Sequence, residues 1–157
     1  MNQVRRATWL DQFKLYDIDN KCFDHVWGTE TWLDWVKDEE HVIFVSEVDK
    51  VIAGFAACIV LSDGILIEKI AVKNPYRLRG VSASLLVSIH RLAHEQAWPN
   101  VLSLTVPETF VIPGRSEDIT GWLVKAGFRI KPPFQPRFFE LNGEPVDGVP
   151  CIYEGSL

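Results

Sequence analysis

From Val72 to Ala93 the chain reads VKNPYRLRGVSASLLVSIHRLA, which sets a proline, two arginines and a glycine between an apolar strand and an amphipathic helix. Pro75 stops strand pairing, and Gly80 is free to take backbone conformations other residues avoid, so successive N–H groups can turn toward one point. A helix starting near Ser82 brings free N–H groups and the positive end of its dipole to the same place. That is chemistry for an anion. Arg77 and Arg79 can add bidentate hydrogen bonds, a better match to two adjacent phosphates than to a lone carboxylate. The bland alternative is a surface loop with two solvated arginines. Neither G-x-x-x-x-G-K-[ST] nor G-x-G-x-x-G occurs, so this is not a P-loop or a dinucleotide fingerprint. Shortly before the loop, Glu68 is a carboxylate inside an otherwise apolar strand, on the face of Leu66 and Ile70. Burial there would raise its pKa toward that of a general base, unless a neighbouring Lys or Arg pairs with it or the strand end is solvated.

The elements that must position these groups follow from periodicity. An opening strand is expected at Gln3–Ala7, a helix through Leu10, Phe13, Ile18 and Cys22, and a second helix after FDHVWG. Strands His41–Glu47 and Val51–Leu61 are joined by Asp49 and Lys50 at hairpin spacing, and a third runs over Ile65–Val72. Leu85, Ile89 and Leu92 mark an amphipathic helix over Ser82–Trp98, with His90 and His94 on its solvent side. Val101–Val106 reads as a buried strand. Ser116, Glu117 and Asp118 look like a helix start, and Gly127 closes that helix. Short strands near Phe128–Lys131 and Arg137–Leu141 complete the list, with Pro132, Pro133 and Pro136 ruling out a two-residue hairpin between them. This order predicts an α/β (α+β) domain, a mixed sheet with helices on its faces.

The 157 residues are 47% hydrophobic, which suits one domain spanning 1–157. A formal charge of −5 has the wrong sign for a protein that coats nucleic acid and suits a cationic substrate better. The acidic runs at Asp17–Asp19 and Asp38–Glu40 read as solvated faces. No apolar run approaches the roughly 18 residues of a membrane helix, and the start lacks a secretory signal, so a soluble, cytoplasmic protein without membrane or nucleic-acid partners is expected. Cys22, Cys58 and Cys151 have no paired spacing and read as core or idle thiols. His90 and His94, at i and i+4, lack the companion ligands of a zinc site, and no metal is expected.

A strand, a loop carrying Val72, Pro75, Tyr76, Arg77, Gly80 and Ser82, and then an amphipathic helix resemble the acetyl-CoA loop of the general N-acetyltransferase (GNAT) superfamily. DITGWLVKAGFRI is similar to that family's later helix and strand, KVIAGFAACIV to its earlier strand, and RRAT…DIDNKCF…W to its ribosomal-protein N-terminal acetyltransferase branch. The resemblance spans about residues 3 to 141. It implies a mostly antiparallel sheet of about seven strands with about four helices, and acetyl-CoA as co-substrate. By the same resemblance, backbone groups of Leu78, Arg79, Gly80, Val81, Ser82 and Ala83 would hold the pyrophosphate. Ile70, Ala71 and Val72 would pair with the pantetheine arm where two parallel strands splay apart.

Acyl transfer to an amine needs a base, donors for the oxyanion and an acid for the leaving thiolate. Glu68 is the candidate base. Leu123 stands where many relatives have a catalytic Tyr, and Thr105 where the N-terminal branch often has an ionisable residue; Ser116 could relay a proton through water or simply cap its helix. Asp24, His25 and Trp27 fall where the family builds one acceptor wall, and Phe138 where it builds the other; Thr105 is expected to contact the substrate as well. The resemblance thus implies an N-acetyltransferase acting on a primary amine, whether a protein N-terminus, a lysine or a small cationic amine, and a possible homodimer. Two other readings stay open: a catalytically weak domain that binds CoA and acts through a protein partner, and a plain anion-binding module.

Overall fold

The computed structural model describes all residues except 1, 23–25, 63, 78, 97–101, 108–122, 125–126, 142 and 154–157. Strand β1 (Asn2–Arg6) is followed by a short 3-10 turn (Trp9–Asp11) and helices α1 (Gln12–Cys22) and α2 (Thr29–Lys37). Strands β2 (His41–Val48), β3 (Val51–Val60) and β4 (Ile65–Val72) form a meander, and helix α3 (Val81–Glu95) leads to β5 (Leu102–Pro107). Strands β6 (Arg129–Ile130), β7 (Gln135–Leu141) and β8 (Glu144–Tyr153) finish the sheet. Its order is β1-β2-β3-β4-β5-β8, with β6 and β7 both on the far edge of β8. Among the described residues, only β4 and β5 run parallel, and every other pair is antiparallel. The mixed, mostly antiparallel sheet is as expected, with eight strands instead of about seven and three helices among the described residues.

Asp49 and Lys50 both take positive φ, 51° and 67°, the backbone that a two-residue hairpin with right-handed strand twist requires. The expected helix before Gly127 lies largely outside the described residues, but Leu123 and Val124 are helical. Gly127, at φ 104°, ends it: the Gly127 N–H donates to the Val124 carbonyl and the Phe128 N–H to the Leu123 carbonyl, the paired bonds of a Schellman cap.

Two apolar layers sandwich the sheet. One face packs Val42, Phe44, Ala56, Ile65 and Ile67 against Val81, Leu85, Ile89 and Ala93 of α3. The other packs Ile43, Val45, Phe55 and Ala71 against Leu15 and Ile18 of α1 and Trp32 of α2. Cys58 and Cys151 are buried free thiols in the first layer, and burial pushes both thiols' pKa up. Among the described residues, no helix is long and apolar enough to cross a membrane, and no cluster of three or more His, Cys, Asp or Glu could hold a metal.

Several sequence expectations need correction. Strand β8 was not expected at all. Its sequence, EPVDGVPCIY, carries two prolines and a glycine that break the apolar pattern; the Pro150 carbonyl accepts from the Lys131 N–H at 2.8 Å. In α1 the core face is Leu15, Ile18 and Asp19, while Leu10 and Phe13 are 68% and 66% exposed. Asp19 is wholly buried and so is not part of a solvated acidic face. His90 is also buried, not solvent-facing: its ring meets Tyr153 of the unanticipated β8 edge-on, with centroids 4.9 Å apart.

Candidate active site

The β4–β5 register contains three pairs, Ile65 with Leu102, Leu66 with Ser103 and Ile67 with Leu104. Beyond them no further pairing joins the two strands, so they part with Glu68 and Thr105 as the next residues on either side. On its other edge β4 stays paired to β3 as far as Val72, through Ile70 with Ala56, Ala71 with Phe55 and Val72 with Gly54. Ile70, Ala71 and Val72 therefore border the splay that the sequence reading required.

Glu68 is the extra residue of a β-bulge: Lys69 faces Ala57 and Ile67 faces Cys58, leaving Glu68 without a partner on β3. The bulge inverts the side-chain alternation, so Ile67 and Ile70 lie on the α3 face and Lys69 and Ala71 on the α1–α2 face. The expectation that Glu68 is buried on the face of Leu66 and Ile70 is thereby corrected. Its side chain is exposed, so the expected burial is absent.

Lys69 takes the buried position instead. Its Nζ donates to Asp19 Oδ1 at 2.7 Å and sits 4.4 Å from the centre of the Trp27 ring. Asp19 Oδ2 accepts from the Trp27 backbone N–H at 2.9 Å and from Trp32 Nε1 at 3.2 Å. Burial lowers the Lys69 pKa, opposed by the bond to Asp19. Sequence reasoning missed this pair. The available signal was a lysine in an apolar strand, a position that demands an anionic partner.

The loop after β4 begins with a 3-10 turn at Asn74–Tyr76. Gly80 is in the left-handed region, φ 77°, and stands as N-cap of α3 without a side-chain cap, which keeps the first amides of this 15-residue helix clear of one. Val81 is buried and can offer a ligand only its backbone, Ser82 is half-buried and Ala83 exposed. Arg77 does not reach out as a free cation: its Nε donates to the Val72 carbonyl at 3.0 Å and its Nη2 lies 3.8 Å from Cys22 Sγ. Arg79 is exposed, with its guanidinium 5.8 Å from the Tyr76 ring centre and its carbonyl bonded to Asn2 Nδ2. Leu78, Asp24, His25 and Ser116 lie outside the described residues.

Thr105 and Phe138 meet across Gly148 of β8. A Cβ on Gly148 would lie 2.7 Å from Thr105 Cγ2 and 2.9 Å from Phe138 Cβ, so the missing side chain is what lets these two residues approach. Phe138 is 56% exposed and packs edge-on against Phe139. Leu123, at the position of the family's Tyr, is fully buried in the layer beneath α3.

The candidate site thus combines an uncapped helix start, a glycine-turned loop and a parallel strand pair whose register ends beside a bulge. The sequence pattern of the acetyltransferase (GNAT) family matches residues 12–109, and the chain belongs to that family of acetyl-CoA-dependent acetyltransferases. No curated protein matches the chain significantly. Among solved structures, the ribosomal-protein-S18-alanine N-acetyltransferase of Escherichia coli is similar over 100% of this chain and 96% of its own, with TM-score 0.85 at 18% identity. Ard1 of Thermoplasma volcanium is similar over 96% and 95%, with TM-score 0.79 at 19% identity. The yncA protein of Salmonella typhimurium, solved with acetyl-CoA, is similar over 98% and 94%, with TM-score 0.77 at 15% identity. At these identities the likeness is one of fold.

Proposed function

We propose that this protein transfers an acetyl group from acetyl-CoA to a primary amine by direct attack, with a protein or peptide N-terminus as the favoured acceptor over a lysine or small cationic amine. The observation that carries the reading is the end of β4–β5 pairing at Ile67 and Leu104, with Glu68 next on one strand and Thr105 on the other. The preference for a protein acceptor draws support from the likeness of fold to the E. coli and T. volcanium structures.

Acetyl-CoA, when bound, supplies the acetyl group as a thioester. Backbone N–H groups at Gly80–Ala83 hold its pyrophosphate, aided by the helix dipole, and Arg79 adds a mobile positive charge. The edge of Ile70–Val72 turned away from β3 aligns the pantetheine arm as an added strand. Glu68, exposed at the bulge, takes the proton of the attacking nitrogen, directly or through one water. Leu123 has no proton to give, so the thiolate leaves without help from that position. Thiolates are stable enough anions for this to cost rate without abolishing it. Trp27 stands on the α1–α2 side of the acceptor path, and Thr105 and Phe138 on the β8 side.

Release of free CoA thiol tests the reading, with three amines: a peptide with a free N-terminal alanine, an N-terminally blocked peptide carrying one lysine, and spermidine. Turnover is expected with the first. Acetyl-CoA binding without turnover of any of the three would replace this reading with that of a CoA-binding domain acting through a partner.

A further inference from the structure

The Asp19–Lys69 pair is an expensive feature. Removing two charges from water costs several kcal/mol per ion, and well-packed apolar residues in place of a buried pair are often as stable or more so. What such a pair supplies instead is a fixed geometry, and its bonds to described residues converge on Trp27 and Trp32. Asp19 holds the backbone of Trp27 and the indole of Trp32, while Lys69 presses its ammonium on the Trp27 ring. Asp19 is wholly buried and Lys69 is 9% exposed, so neither is free to reorient.

Position in the sheet gives the clamp its meaning. Lys69 follows Glu68 directly, and the bulge at Glu68 is what turns Lys69 to the α1–α2 face. The α3 face carries the helix whose start suits the phosphates of the cofactor. An acceptor that reaches the splay from the other face therefore passes the segment around Trp27. Without the bulge, Lys69 would point toward α3, and Trp27 would have no anchor on β4.

We infer that Asp19 and Lys69 are positioning residues for the acceptor: together they fix Trp27 beside the β4–β5 splay, so that the acceptor meets a rigid wall at a set distance from Glu68. The inference rests on the acetyl-transfer reading. It concerns acceptor recognition alone, because the pair touches neither the loop at Arg77–Gly80 nor the start of α3 in any contact described above.

The test is steady-state kinetics of the parent, Lys69→Met, Lys69→Arg and Trp27→Leu, using whichever of the three amines the parent acetylates, beside calorimetric titration with acetyl-CoA. The expected result for Lys69→Met is an acceptor KM raised about 10- to 100-fold, the range that a displacement of about 1 Å commands, with acetyl-CoA affinity within about twofold of the parent. Lys69→Arg should recover most of the loss, since it keeps the charge opposite Asp19. Trp27→Leu leaves the ion pair in place and should reproduce the KM effect, which carries the test if Lys69→Met fails to fold. An active parent whose folded variants keep the parent KM overturns the inference alone, as does a variant that loses acetyl-CoA affinity and acceptor affinity in equal measure. A parent that acetylates none of the amines overturns the proposed function, and the inference with it.

Discussion

The Nε of Arg77 donates to the carbonyl of Val72 at 3.0 Å, folding the loop back onto the strand it leaves. The arginine that the sequence offers as a phosphate ligand thus acts as a brace, and its Nη2 reaches Cys22 at the end of α1. The two arginines should then differ. Arg77→Ala should lower stability by about 1.5 kcal/mol, the low end for a hydrogen bond from a charged group, and weaken acetyl-CoA binding by loosening the loop. Arg79→Ala should leave stability unchanged and weaken binding by roughly three- to tenfold, an effect that shrinks at high salt. Urea denaturation and calorimetry at two ionic strengths separate these outcomes.

Glu68→Gln keeps the shape of the bulge residue and removes its basicity. The expected kcat falls by roughly 10²- to 10³-fold, within the usual range for a general base, while acetyl-CoA affinity holds. A variant as active as the parent would exclude Glu68 as the base.

Gly54 lies against β4 and α3 with no room for a side chain: an added Cβ would stand 2.6 Å from the Ala71 carbonyl oxygen and 3.0 Å from Val81 Cγ1. Backbone cannot yield as a flexible side chain can. Gly54→Ala should cost about 2–3 kcal/mol, read from the denaturation midpoint, and should disturb cofactor binding because both clashing residues border that site. Gly28→Ala, with nothing within 4 Å of the new methyl, is the control and should change stability little.

Gly148→Ala tests the acceptor wall formed by β8. The new methyl would meet Thr105 and Phe138 at under 3 Å, so Phe138 must shift. Acceptor KM should rise severalfold with acetyl-CoA affinity unchanged, measured in the same two assays.

Arg5 donates two hydrogen bonds to Asp11, at 2.8 and 2.9 Å, and a third to Glu47, while Asp11 also accepts from the Thr8 backbone N–H at the 3-10 turn. The bond from Arg5, first among the causes, holds the Asp11 carboxyl below its usual pKa. A depressed carboxyl stabilises the fold above its unfolded value, about 3.9, and that stability is lost as pH falls through the folded value. Asp11→Asn should therefore be about 1–2 kcal/mol less stable at pH 7. The gap should close as the parent is acidified below about pH 4, as urea midpoints across pH 3 to 7 would report.

Regular elements with strong local signals were legible in the sequence. Strand Val51–Val60 ends one residue short of its expected bound, the Asp49–Lys50 turn is a true two-residue hairpin, and Ile65–Val72 has its expected bounds. The course of the loop after β4 could be read because glycine, proline and a helix start act within ten residues of one another. Strand β8 could not, because Pro145, Gly148 and Pro150 erase its pattern and its pairing comes from three other strands.

For the site, the sequence by itself determined which groups are present: a glycine-turned loop with two arginines, a carboxylate on the adjoining strand, and the non-ionisable Leu123 and Thr105. It also determined the family. Which face each group serves was left to the tertiary structure, because a single bulge at Glu68 inverts the alternation on which any reading of a strand depends. That one extra residue exposes Glu68, buries Lys69 against Asp19, and converts an acidic stretch read as solvated into the anchor of Trp27. No local periodicity encodes such a bulge, since it is fixed by pairing between β3 and β4 and by the carboxylate that waits on α1.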